Sequence, residues 1–262
     1  MSVDRVPSPL RVVLTDVNAE VVQAWRAAFA DTPGVEIRQG SILDEAVDAW
    51  VTPTNSRGRM DGGVDAVIKR HLGAGIQLRV QRAIRAQFAG SLPVGSAVCV
   101  ASGAVEPKFL ISTPTMEQSS QNVRETLNVA LASAAAFQAV HRQNAEAPGS
   151  IRSVALVGMG ARTGRVPARV CANLMWSGYT LFHDFRFDDY DDLRSTVVAQ
   201  LDDLDGGPAG KRVRIAPPQR GHAPPPGTAR PPPPPRPRGP ARGEGDLAQE
   251  PPVRGGGCGP PG

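Results

Sequence analysis

The sequence predicts an α/β fold built on a mixed, mostly parallel sheet, and three observations carry that expectation. Short apolar runs alternate with segments whose apolar residues recur at helical spacing. Two of the buried runs lead directly into glycine-bearing loops followed by helices, at Arg57 to Val64 and at Gly158 to Val166. The folded part, about 205 residues, is long enough to bury a real core.

The elements follow in order. Leu10 to Leu14 is an apolar strand, and Asn18 to Ala30 carries Val21, Val22, Trp25, Ala28 and Phe29 at helical spacing with Asn18 as N-cap. Asp31-Thr32-Pro33-Gly34 makes a turn, Val35 to Arg38 a second strand, and Ile42 to Ala46 one helical turn. The buried strand Ala49 to Val51 is expected to stop at Pro53 and Asn55. A helix from Val64 to Leu72 leads into another, Gly75 to Phe88, whose Ile76, Val80, Ile84 and Phe88 repeat every four residues. Ala97 to Ala101 and Phe109 to Ser112 read as paired strands, and Val123 to Val140 as a long alanine-rich helix. The strand Val154 to Val157 precedes the second glycine loop. Pro167 then opens the helix holding Val170, Leu174 and Met175, and Tyr190 to Leu204 is a last helix.

Composition changes at Gly206. The 57 residues from there hold 17 of the 26 prolines and 13 of the 28 glycines, with no Phe, Trp or Tyr. Such a segment cannot bury enough apolar surface to offset its ordering entropy, so residues 206–262 are expected to form a disordered Pro/Arg/Gly-rich tail behind a domain over residues 8–205. The tail has 9 Lys+Arg against 3 Asp+Glu and the body 20 against 22, so the net charge of +4 belongs to the tail. That charge allows non-specific contact with nucleic acid, yet the tail has no aromatic residue to stack on bases. Three widely separated cysteines, Cys99, Cys171 and Cys258, offer neither a disulfide framework nor zinc spacing and fit a reducing, cytoplasmic setting. No stretch has the length of a membrane span, and no metal-ligand spacing joins His71, His141 and His183. The acidic run from Asp184 to Asp192 suits a helix start better than a cation site.

Both glycine loops follow strands, and in open α/β sheets ligands bind at the carboxyl ends of strands. Glycine permits close backbone approach and a helix N-terminus adds partial positive charge, so two such loops facing each other would hold a diphosphate. Strand-to-helix turns without a ligand would show the same glycines; Asn55 and Asp65 lift the first loop above that. The second loop, Gly-x-Gly-x-x-x-Gly, also suggests a Rossmann-type nucleotide site, but the first strand ends in Thr15-Asp16-Val17-Asn18 and lacks the expected glycines.

Taken together, Thr52-Pro53-Thr54-Asn55, Gly62-Gly63-Val64-Asp65, Ile68 and Gly73 resemble the macro domain family, whose core runs Asn-x-Ala-Asn, then Gly-Gly-Gly-Val-Asp, then Ile, Arg and Gly. Asn55 and Asp65 stand ten positions apart, as in that family. Gly40-Ser41-Ile42 sits where it has Gly-Asp-Ile, Phe109 to Met116 where it has a strand ending His-x-Pro, and Val154 to Pro167 resembles its second phosphate loop. The resemblance implies a three-layer α/β/α macro domain that binds ADP-ribose, free or on an ADP-ribosylated protein, with no cofactor. It implies that Asn55 hydrogen-bonds the distal ribose and that Asp65 orients or activates a water near its anomeric carbon. Ser41, Ile42, Gly62, Gly63 and Val64 would line one wall. Gly158, Gly160, Ala161, Arg162, Thr163, Gly164 and Arg165 would line the other.

In the MacroD-type branch such a site hydrolyses mono-ADP-ribose from acidic side chains. The alternatives are a reader without turnover and a degenerate interaction module. Departures from the pattern bear on the choice. Ser41 replaces the aspartate that accepts from the adenine amino group, so adenine selectivity is weaker or falls to another residue such as Asp16. Arg162 and Arg165 stand where glycines are usual and either clamp the diphosphate or block its approach. Gly164 stands where an aromatic commonly packs on the distal ribose. Asp61 places a charge near an expected phosphate, which is unfavourable unless it points outward.

Overall fold

The computed structural model describes residues 10–184. The expected helix Tyr190 to Leu204 and the tail from Gly206 lie outside the described residues.

Six strands form one sheet: β1 (Arg11–Asp16), β2 (Val35–Gln39), β3 (Ala49–Asn55), β4 (Val98–Ala101), β5 (Phe109–Met116) and β6 (Ser153–Leu156). Their order is β2-β1-β6-β3-β5-β4, with every pairing parallel except that of β4 with β5. Successive side chains of a strand point to opposite faces, which is how the apolar strands build two cores at once. Val13, Trp50 and Leu110 enter the core beneath α2 (Gly63–Leu72) and α3 (Gly75–Phe88). Their neighbours Leu14, Val51 and Ile111 enter the larger core beneath α1 (Ala19–Ala28), α4 (Asn128–Glu146) and α5 (Ala168–Asp184). The result is the three-layer α/β/α sandwich that alternating elements predict.

Local chemistry explains most boundaries. Asn18 caps α1 by accepting the Glu20 N–H at 3.0 Å, as its position before the periodic stretch suggests. Ser41 caps a single 3-10 turn at Ile42–Asp44, accepting the Leu43 N–H at 3.2 Å. Three expectations need correction. β3 does not stop at Pro53: β6 ends at Leu156 opposite Val51, so the last residues of β3 have β5 as their only partner strand, and a residue without an N–H is tolerated there as on an edge. β5 likewise continues past Ser112 to Met116 alongside β3. α4 begins at Asn128 and not at Val123, because the Val123 N–H donates 3.0 Å to the Gly164 carbonyl and holds that segment as a loop. In α5, Cys171, Leu174 and Met175 are buried, while Val170 faces out.

No helix among the described residues is long and apolar enough to cross a membrane.

Candidate functional site

A cavity of about 520 Å³ opens over the carboxyl ends of β1, β3, β5 and β6, within the range typical of small-molecule sites. Its walls contain both glycine loops, the 3-10 turn and the segment after β5. Of the residues singled out from the sequence, Asn55 and Asp65 line it, as do Ser41, Ile42, Gly62, Gly63 and Val64. From the second loop, Gly158, Gly160, Arg162 and Thr163 line it. Ala161, Gly164 and Arg165 do not.

The first loop is organised by side chains. Asn55 Oδ1 accepts the N–H groups of Arg57 (3.1 Å) and Arg59 (3.3 Å), and its Nδ2 donates to the Arg59 carbonyl (3.1 Å) and Ser119 Oγ (3.3 Å). Asn55 is therefore the buried hub of its own loop. Asp61 is neutralised locally, since the Arg59 guanidinium donates to Oδ2 at 2.8 and 3.0 Å and both groups are largely solvated. Gly62, the N-cap of α2, has no side chain to cap the helix, so the first N–H groups of α2 have no side-chain partner among the described residues, and Gly62 to Asp65 line the cavity at the positive end of the helix dipole.

Asp65 sits in the first turn of that helix, only 7% exposed. Burial pushes its carboxyl up to about 7, and Asp61 adds to the shift; the Thr52 hydroxyl, which donates to Oδ1, and Lys69 act against it. Thr52 belongs to the recognised strand motif, but its bond to Asp65 has no sequence signature. A carboxyl that titrates near neutrality can exchange a proton with a bound water at working pH.

The second loop is organised by its backbone. Val166 N–H donates to Gly160 O (3.1 Å), Arg165 N–H to Arg162 O (3.2 Å), and Gly158 N–H to Asp16 Oδ2 (3.0 Å). The N–H groups of residues 159–164 find no acceptor among the described residues. Gly164 is fixed by packing: a Cβ there would come within 2.7 Å of Gly160 O and Val123 Cγ2, so the position faces the protein and not the cleft. Arg165 is exposed and holds a left-handed φ of +59°, the conformation glycine would take without strain. Of the two arginines only Arg162 lines the cavity, where its side chain makes no hydrogen bond or ion pair among the described residues. The loops meet where Gly63, at φ +56°, stands with its missing Cβ 3.8 Å from Thr163 Oγ1.

Three features lay beyond sequence reasoning. Thr15 and Thr115 are lining residues of the cavity, and their Oγ1 atoms are fully buried with no hydrogen-bond partner among the described residues. Ser119 and Ser120 complete the wall beside Asn55. Burial pushes the thiols of Cys99 and Cys171 up to about 12, and His71 packs on Trp50 with ring centroids 5.5 Å apart. Among the described residues no His, Cys, Asp or Glu group has the arrangement of a metal site.

Fold and site define an α/β/α domain with a cleft walled by two glycine loops at the carboxyl ends of a mostly parallel sheet. A family model described as the Macro domain matches residues 51–175, from β3 into α5. An uncharacterized protein of Aquifex aeolicus is 36% identical over 142 residues, which cover 54% of this chain and 78% of that protein. The chain belongs to the macro domain family. Among solved structures it is similar to the macrodomain of Mycobacterium tuberculosis DarG, with a TM-score of 0.46, 20% identity and 56% of this chain covered against 90% of that one. It is also similar to the Oceanobacillus iheyensis macrodomain with ADP, with a TM-score of 0.44, 16% identity and coverage of 63% and 90%.

Proposed function

We propose that the chain binds ADP-ribose or a related ADP-ribosyl metabolite in this cavity and, like the MacroD-type branch it resembles, hydrolyses mono-ADP-ribose from acidic side chains of proteins. The observation that supports binding most is that two sets of N–H groups without a partner among the described residues, at the start of α2 and at Gly160, Arg162 and Thr163, belong to residues lining one cleft. Such a cradle suits the two negative charges of a diphosphate. Arg162, which lines the cavity and has no ion pair among the described residues, adds a charge-assisted donor.

Hydrolysis rests on Asp65. With the diphosphate between the loops, the distal ribose lies toward the Asn55 and Asp65 end of the cavity. A water there attacks the anomeric carbon, the bond from that carbon to the substrate carboxylate breaks, and Asp65 takes the proton that the water gives up. Its near-neutral titration favours that exchange. A reader without turnover is the competing reading, favoured by Asn55, whose amide is committed to Arg59 and Ser119 before any ligand arrives.

Calorimetric titration with ADP-ribose, joined to an assay of release from a mono-ADP-ribosylated protein, separates these readings. The expected result is binding by the wild type and by Asp65→Ala, with release lost in Asp65→Ala by about 100-fold or more. Binding without release by the wild type leaves a reader. No heat at about 1 mM ligand, the weak end of specific affinity, leaves neither. Release unaffected by Asp65→Ala and Asn55→Ala would place the chemistry on other residues.

A further inference from the structure

Charge is unevenly shared between the layers of the sandwich. From Ser56 to Val105, a segment that covers the first loop, α2, α3 and β4, there are seven Lys and Arg against two Asp and Glu. The rest of the described chain has ten against twelve. Of the two acids in the segment, Asp65 is buried and Asp61 is paired with Arg59, and no acidic residue follows Asp65 before Glu106. A solvated surface ordinarily mixes both signs.

The excess is concentrated on α3. Arg79, Arg82 and Arg85 recur at three-residue spacing, all exposed, in a helix that has no acidic residue at any position. Like charges at that spacing destabilise a helix, and nothing on α3 offsets them. Arg79 donates to the Ser102 carbonyl, but the guanidinium groups of Arg82, Arg85 and Arg57 make no hydrogen bond or ion pair among the described residues.

This face adjoins the Asn55 and Asp65 end of the cavity. The N–H groups of Arg57 and Arg59 both donate to Asn55 Oδ1, and Arg59 lines the cavity. Gly58, between them, is seated on α3, its missing Cβ 2.7 Å from Ile84 Cδ1 and 2.8 Å from Val80 Cγ1. Gln81 Cγ lies 3.7 Å from the same point, and Arg85 stands one helical turn beyond Gln81 on that flank. Basic residues therefore run from the cavity along α3, where Arg79 to Arg85 spans about 9 Å.

Resting on the reading that the site takes ADP-ribose attached to acidic side chains, we propose that this face docks the protein that carries the modification, through a segment in which further Asp and Glu residues flank the modified one. The carrier leaves the cavity where the distal ribose lies, beside Arg57, and carboxylates pair with guanidinium groups in a two-pronged geometry. Nucleic acid suits the face less well. Residues 56–105 hold one aromatic residue, Phe88, and it packs on the core, which leaves no platform for stacking bases.

Fluorescence anisotropy with the full chain and two peptides tests this. Both peptides carry ADP-ribose through glutamine, the amide isostere of a modified glutamate, so that ester hydrolysis does not consume them. One is flanked by Glu and Asp, the other by Ser and Gly. The wild type is expected to bind the acidic peptide about fivefold more tightly or better at about 50 mM salt, and within about twofold at about 0.5 M. The double variant Arg82→Glu, Arg85→Glu should bring the two peptides together at both salt concentrations and leave the affinity for free ADP-ribose unchanged, since neither residue lines the cavity. Equal affinity of the wild type for the two peptides at low salt, with free ADP-ribose still bound, would overturn the proposal. A preference that persists in the double variant would assign it to charge elsewhere on the chain, the tail included, and overturn it too. So would single-stranded DNA that displaces the acidic peptide better than an unmodified peptide of the same charge does and loses that advantage in the double variant, because the face would then serve nucleic acid. Binding of neither peptide nor of free ADP-ribose would overturn the underlying reading as well.

Discussion

The two loops that wall the cavity solve the same problem with opposite means. Between β3 and α2, a side chain does the holding: Asn55 makes four hydrogen bonds, three to the backbone of Arg57 and Arg59 and one to Ser119. Between β6 and α5, backbone and packing do it, through Val166 to Gly160, Arg165 to Arg162 and Val123 to Gly164. The first loop consequently delivers side-chain chemistry, a carboxyl at the start of a helix. The second delivers N–H groups and a guanidinium that has no partner among the described residues, so nearly any side chain is tolerated where it points outward and almost none where it points inward. Arginines at 162 and 165 are compatible with a phosphate loop for that reason, and they differ from each other: one lines the cleft, the other is a surface residue in a strained conformation.

The largest effect that would break this contrast lies at Asp65. Its carboxyl is held at about 7 against an ordinary 3.8, so the folded chain binds a proton that the unfolded chain does not across roughly pH 4 to 7. Stability attributable to this group is greatest at the acidic end and falls as pH rises through that window. Asp65→Asn keeps an acceptor for Thr52 and removes the charge. It should be more stable than the wild type above pH 7 by up to about 4 kcal/mol, with the gap closing toward about pH 4. Denaturant melts at a series of pH values read this out, and a gap independent of pH would mean that burial of the charge is not what costs stability.

Next in size is Gly164→Ala. The added methyl meets Gly160 O and Val123 at 2.7 Å, and two of the three clashing atoms are backbone, so the loop must shift. A loss of about 1–3 kcal/mol is expected, with ADP-ribose affinity falling alongside. Gly63→Ala makes the control from the first loop: nothing crowds it, and only the left-handed φ costs about 1 kcal/mol. Arg162→Ala should leave stability unchanged and weaken ADP-ribose by about tenfold, more at low salt than at high. Arg165→Gly should do the reverse, adding about 1 kcal/mol of stability by relieving the left-handed backbone and leaving affinity untouched. If Arg165→Gly weakened binding as much as Arg162→Ala, the assignment of only one arginine to the cleft would fail.

The same contrast explains what the sequence revealed. The first loop was legible because its motif consists of residue types at fixed spacing: Asn55, Gly62, Gly63 and Asp65 announce themselves in one dimension. The element order was legible for a similar reason, since alternate residues of β1, β3 and β5 feed two cores and therefore read as continuous apolar runs. What stayed hidden depends on partners distant in the chain. Val123 has the spacing of a helical residue, and only its bond to Gly164 makes it a loop. Pro53 looks like a stop until β6 is seen to end at Leu156. Thr15 is an ordinary strand threonine by sequence, and no local pattern encodes that its hydroxyl is buried with no partner among the described residues.

The central claim is that two dissimilar loops form one diphosphate cradle from backbone donors. Amide NMR of the 15N-labelled chain titrated with ADP-ribose tests it most directly. Downfield shifts are expected of the N–H protons of Gly63 to Asp65 and of Gly160, Arg162 and Thr163, moving together at one midpoint. Shifts confined to one loop, or to neither, would contradict it.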